Sequence, residues 1–123
     1  MTVHGEPRKH VVVHCDGPDA VSVIEIGIRA TTNLVRSLGP DAAIDLVVIG
    51  PAVVYLVTGS GYDERVAELS TESGTAVQII ACRNSMQSAG VRSNELATGV
   101  RTTACGVAYL TERQWEGWAY LRL

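Results

Sequence analysis

Cys82 stands at the end of an apolar run, Ala76-Val77-Gln78-Ile79-Ile80-Ala81, and is followed at once by Arg83-Asn84-Ser85-Met86. A thiol at a strand exit and a helix entrance lies near unpaired backbone N–H groups and the positive end of a helix dipole. Both favour the thiolate. Such a cysteine can act as a nucleophile or a carrier of sulfur. Asn84 and Ser85 are placed to offer N–H groups, and Arg83 adds positive charge if its side chain turns inward. The rival reading is inert packing, because free cysteine is among the most buried residue types.

Two further thiols are present, Cys15 and Cys105, which makes an odd count without the short paired spacings of a zinc ribbon. No metal ligand set and no disulfide scaffold is expected. Cys15 closes another apolar run, so it is a candidate second thiol or resolving partner. His14 beside it is a candidate tuning group or a hydrogen-bonded structural histidine. Cys105 reads as core.

These residues need a scaffold that ends strands at one rim. His10-Val11-Val12-Val13-His14-Cys15 is a β-branched strand closed by Asp16-Gly17-Pro18. Val21, Ile24, Ile28, Val35 and Leu38 share one helical face, and Gly39-Pro40 stops that helix. Residues 43–49 form a second strand ending in Gly50-Pro51. Residues 52–61 read as a short helix-like turn or lid loop, and 60–73 as a helix. The third strand spans 75–81 and a short helix 84–89. A weak strand covers 100–103, a last helix 107–115, and a closing strand 119–123.

Such alternation predicts a three-layer α/β/α sandwich around a mostly parallel sheet of about five strands. The unbroken apolar strands agree, since they suit burial on both faces. Ligands in open sheets of this kind sit at strand carboxyl ends beside a topological switch point. If the first and third strands flanked that point, Cys15 and Cys82 would approach one another.

At 123 residues the chain is the size of one domain, with a polar tail over 1–9 and the domain over 10–123. A net charge of −3 and scattered arginines give no reason to expect nucleic acid or an anionic membrane as partner. No spanning segment and no apolar signal region stand out, so the expected location is cytoplasmic. Gly59-Ser60-Gly61 lacks the pattern of a phosphate-binding loop. Trp115 and Trp118, in a chain without phenylalanine, suit either core or a subunit interface.

From residue 10 to 123 the chain resembles the DsrE/DsrF-like family, which includes small sulfur-relay proteins. The likeness is sharpest in Ala81-Cys82-Arg83-Asn84-Ser85-Met86 and in Gln114-Trp115-Glu116-Gly117-Trp118-Ala119-Tyr120-Leu121. It implies a homo-oligomer, trimeric or hexameric, with Cys82 carrying sulfur as a persulfide between a donor and an acceptor protein. Arg83, Asn84, Ser85, Cys15 and His14 would be supporting residues, and no cofactor is implied. The alternative is a non-catalytic small-molecule-binding or assembly protein in which Cys82 lines a pocket.

Overall fold

The computed structural model describes residues 9–71 and 73–123. The polar tail therefore falls outside the described residues except for Lys9, which opens the first strand. Five strands form one sheet: β1 (Lys9–Cys15), β2 (Ala42–Val48), β3 (Ala76–Cys82), β4 (Val100–Thr103) and β5 (Ala119–Arg122). Their order is β4-β3-β2-β1-β5, and every neighbouring pair is parallel. Among the described residues four α-helices accompany them: α1 (Ala20–Leu38), α2 (Asp63–Thr71), α3 (Arg83–Ala89) and α4 (Gly106–Trp115). The α2 helix thus begins three residues later than the sequence pattern suggests. Residues 51–56 form the expected short helical turn, of 3-10 type.

The strand alternation sorts side chains onto two faces. Val11, Val13 and Cys15, Ile44, Leu46 and Val48, and Val77, Ile79 and Ala81 meet Ile24 and Ile28 of α1, Val66 and Leu69 of α2, and Met86 of α3. On the opposite face Val12, Val47 and Ile80 meet Leu110 of α4. This division follows from right-handed crossovers. The chain steps from β1 through β4 in one direction, which stacks α1, α2 and α3 on one face. It then returns past β3, β2 and β1 to reach β5, and that reversal sends α4 across the other face. Three layers result, one of them a single helix.

The reversal also fixes the switch point. The chain leaves β3 into α3 on one side and leaves β4 into α4 on the other, so the switch point falls between β3 and β4. It does not lie between the first and third strands, which β2 separates.

Candidate functional site

Cys82 ends β3 at this switch point and is the N-cap residue of α3. Strand parity turns its side chain toward the α4 face, with Ile80. There the N–H of Gly106, the first residue of α4, donates to Cys82 Sγ at 3.3 Å. A β-carbon at Gly106 would stand 2.6 Å from Ile49 Cδ1 and 3.2 Å from Cys82 Cβ. Glycine is what lets this helix start so close to the thiol. The sulfur thus sits between the entrances of two helices that depart to opposite faces.

The electrostatics follow from that position. Burial opposes ionisation of Cys82 most strongly. The backbone N–H of Ser85, its hydroxyl, and the N–H groups of Gly106 and Asn84 outweigh it and hold the thiol below its ordinary value. The N–H groups of α3 act from nearby without completing a capping hydrogen bond to the neutral thiol. Ser85 Oγ accepts the Gly50 N–H at 2.8 Å, which leaves its own O–H free to point at the sulfur. Cys82 itself is only 3% exposed. Along α3, a cleft of about 380 Å³ runs between Gly50-Pro51 and Asn84, Ser85, Ser88 and Ala89.

Gly50 is held to glycine on two counts. Its φ is +83°, and a β-carbon there would collide with the Asp16 carboxylate. Gly50→Ala is expected to cost about 1–3 kcal/mol from left-handed strain plus overpacking. A urea unfolding midpoint equal to that of wild type would refute this.

The supporting residues separate in space. Ser85 and Asn84 open α3 with their backbone N–H groups, and the Ser85 hydroxyl, near the sulfur. Arg83 is exposed, and the groups that favour the thiolate are N–H and hydroxyl donors rather than its guanidinium. Cys15 does not meet Cys82: it lies on the other face, two strands away. Its Sγ donates to the Val23 carbonyl at 3.2 Å, and the α1 backbone rests on it so closely that a β-carbon at Gly27 would stand 2.9 Å from the sulfur. Burial, then the Asp16 charge, pushes its thiol up to about 12 despite Arg122. A resolving role at Cys82 is therefore corrected to packing.

His14 points away from Cys15 because adjacent strand residues face opposite sides. It shares a 2.7 Å hydrogen bond with Tyr120 Oη. Burial and then Arg122 lower its pKa against the pull of Asp16. Cys105 is half-buried as the N-cap residue of α4 rather than part of the core. The two tryptophans divide: Trp118 packs on the His10 ring and under the Arg113 guanidinium, whereas Trp115 is 81% exposed. Among the described residues no three His, Cys, Asp or Glu side chains gather to hold a metal ion.

One cluster has no place in the sequence reading. Asp45 of β2, 1% exposed, accepts from Tyr109 Oη and from Arg113 Nε at 3.1 Å. Arg113 also reaches Tyr109 Oη at 2.9 Å and Glu116 at 2.8 Å. A carboxylate inside the apolar run Ala43-Ile44-Asp45-Leu46-Val47 is the signal that could have revealed it, since buried charge demands partners.

The molecule is thus an open, all-parallel α/β sheet with a dipole-cradled cysteine at its switch point. It belongs to the same family as MTH1491 from Methanobacterium thermoautotrophicum, a protein of unknown function. The two are 32% identical, with a TM-score of 0.81 over 94% of this chain and 99% of that one. Two further solved structures share the fold. BT1422 from Bacteroides thetaiotaomicron, a conserved protein of unknown function, is 18% identical with a TM-score of 0.69, over 97% and 98% of the two chains. The ychN protein of E. coli is 19% identical, also with a TM-score of 0.69, over 94% and 98%. No protein-family model and no functionally curated protein matches the chain.

Proposed function

We propose that this protein is a DsrE-like sulfur carrier that accepts sulfane sulfur as a persulfide on Cys82. The observation that supports this reading is the convergence of Gly106, Ser85 and Asn84 donors on Cys82 Sγ at the switch point. In the reaction, the Cys82 thiolate attacks the outer sulfur of a donor persulfide, R–S–SH. A new S–S bond forms at Cys82, the donor S–S bond breaks, and the donor leaves as a thiolate that takes up a proton from water. Sulfur moves with no net oxidation or reduction, and a second exchange hands it to an acceptor thiol. The same donors that hold the thiolate are placed to hold the persulfide anion.

Sequence resemblance supports the same reading and, with it, a homo-oligomer. The exposed Trp115, Val107, Tyr120 and Leu121 on and beside α4 and the edge strand β5 suit a subunit contact. No helix among the described residues is long and apolar enough to cross a membrane, and a cytoplasmic setting, where thiols stay reduced, fits the chemistry.

The test is intact mass after exposure of the reduced protein to a sulfane-sulfur donor. Wild type and Cys15→Ser are expected to gain one sulfur atom, and Cys82→Ser none. Absence of added sulfur under conditions that load an established carrier would overturn the reading. A second reading, a non-catalytic small-molecule-binding protein, draws on the cleft beside Ser85. It predicts ligand-dependent thermal stabilisation that survives Cys82→Ser.

A further inference from the structure

We infer that Asp45, Tyr109 and Arg113 form a latch that positions the start of α4, and with it the Gly106 N–H, against the sulfur of Cys82. The inference rests on the reading of Cys82 as the reactive thiol and assigns the residues that regulate its environment. None of the three touches the sulfur, so they are positioning residues.

The geometry is that of a rod fixed at two points. Gly106, Tyr109, Leu110 and Arg113 follow the i, i+3, i+4, i+7 spacing of one helical face, the face turned to the sheet. At one end Gly106 lies on Cys82 and Ile49. One and two turns on, Tyr109 and Arg113 both grip the Asp45 carboxylate. Asp45 pairs with Gln78 in the sheet register, four residues before Cys82 on β3. Four strand residues span about 13 Å and seven helical residues about 10 Å, so the helix bridges the distance from latch to thiol.

Apolar packing alone holds this helix weakly. Its buried cluster contains Val12, Val47, Ile80 and Leu110, a small fraction of the core on the opposite face. Sliding α4 by even 1 Å would break a 3.3 Å N–H···S contact, whose strength falls steeply with distance and angle. The buried carboxylate supplies the directional hold that Leu110 cannot.

The experiment is the pH dependence of Cys82 alkylation, followed site by site by mass spectrometry, in wild type, Tyr109→Phe, Asp45→Asn and Asp45→Ala. Leu69→Ala, on the far face, serves as a control for general loosening. Loss of one hydrogen bond to an anion is expected to slow Cys82 alkylation at neutral pH about tenfold in Tyr109→Phe and Asp45→Ala, with the titration midpoint moved upward. Asp45→Asn, which keeps an acceptor for both partners, is expected to recover most of the rate. Midpoints equal to wild type in Tyr109→Phe and Asp45→Ala would overturn the latch, as would an equal shift in Leu69→Ala. An ordinary thiol titration in wild type would instead overturn the reactive-thiol reading and the latch together. Shifted midpoints in a protein that never loads sulfur would support the latch and sink only the carrier function.

Discussion

Limited alkylation of the folded protein at neutral pH is expected to label Cys82 and spare Cys15 by at least about a thousandfold, because the thiolate is the reacting species. The two sulfurs are almost equally covered, at 3% and 1% exposure, so access does not separate them. Their surroundings do. Cys82 faces N–H and O–H donors that hold its thiol below the ordinary value, after burial has taken its share. Cys15 faces a carbonyl oxygen and the Asp16 charge in an apolar layer, which together with burial put its thiol at about 12. At pH 7 that leaves about one part in 10⁵ of Cys15 ionised. Raising the pH should increase labelling of Cys15 steadily, whereas Cys82 reaches a plateau once the pH passes its midpoint. Urea should make the two alike. Equal labelling of both in the native state would show that the donors do not control reactivity.

The same shifts carry opposite signs for stability. Cys15 titrates higher when folded, so its contribution is whole below 9.0 and is lost as the pH climbs through about 12. Cys82 titrates lower when folded. Its contribution is present above the unfolded value of 9.0 and fades as the pH falls through the folded one.

Asp45→Ala is the substitution expected to cost the fold most, about 3 kcal/mol, near the lower end for breaking a buried ion pair. It leaves Tyr109 Oη without an acceptor and removes one of the two carboxylates around Arg113, while Glu116 keeps the cation partly paired. Asp45→Asn should cost much less, because an amide oxygen still accepts from both partners. The charge itself is not what stabilises. Burial raises the Asp45 pKa in spite of Tyr109 and Arg113. Its contribution is therefore complete below 3.8 and is lost as the pH rises through the folded value. Wild type should gain on Asp45→Asn as the solution is acidified. Urea unfolding at neutral and mildly acidic pH measures both effects. A loss below about 1 kcal/mol in Asp45→Ala would mean that the cluster does not hold the fold.

Much of this architecture is written locally. Near-continuous runs of Val, Ile and Leu mark β1, β2 and β3, and Gly39-Pro40 and Gly50-Pro51 stop the elements before them. The exit of β3 into Asn84 and Ser85 placed Cys82 at a helix entrance without any knowledge of the sheet. These features depend on neighbours within a few residues, so periodicity and turn chemistry suffice.

The sequence by itself therefore determined that a thiol ends a buried strand and opens a helix in an α/β protein. What surrounds each sulfur was decided only in three dimensions. The order β4-β3-β2-β1-β5 put the switch point beside Cys82 and two strands away from Cys15. The return of α4 across the free face brought a donor from 24 residues onward to the sulfur. It also brought two partners from 64 and 68 residues onward to Asp45. Such contacts depend on the order in which strands pair and on the face each crossover takes, and neither leaves a mark in local spacing.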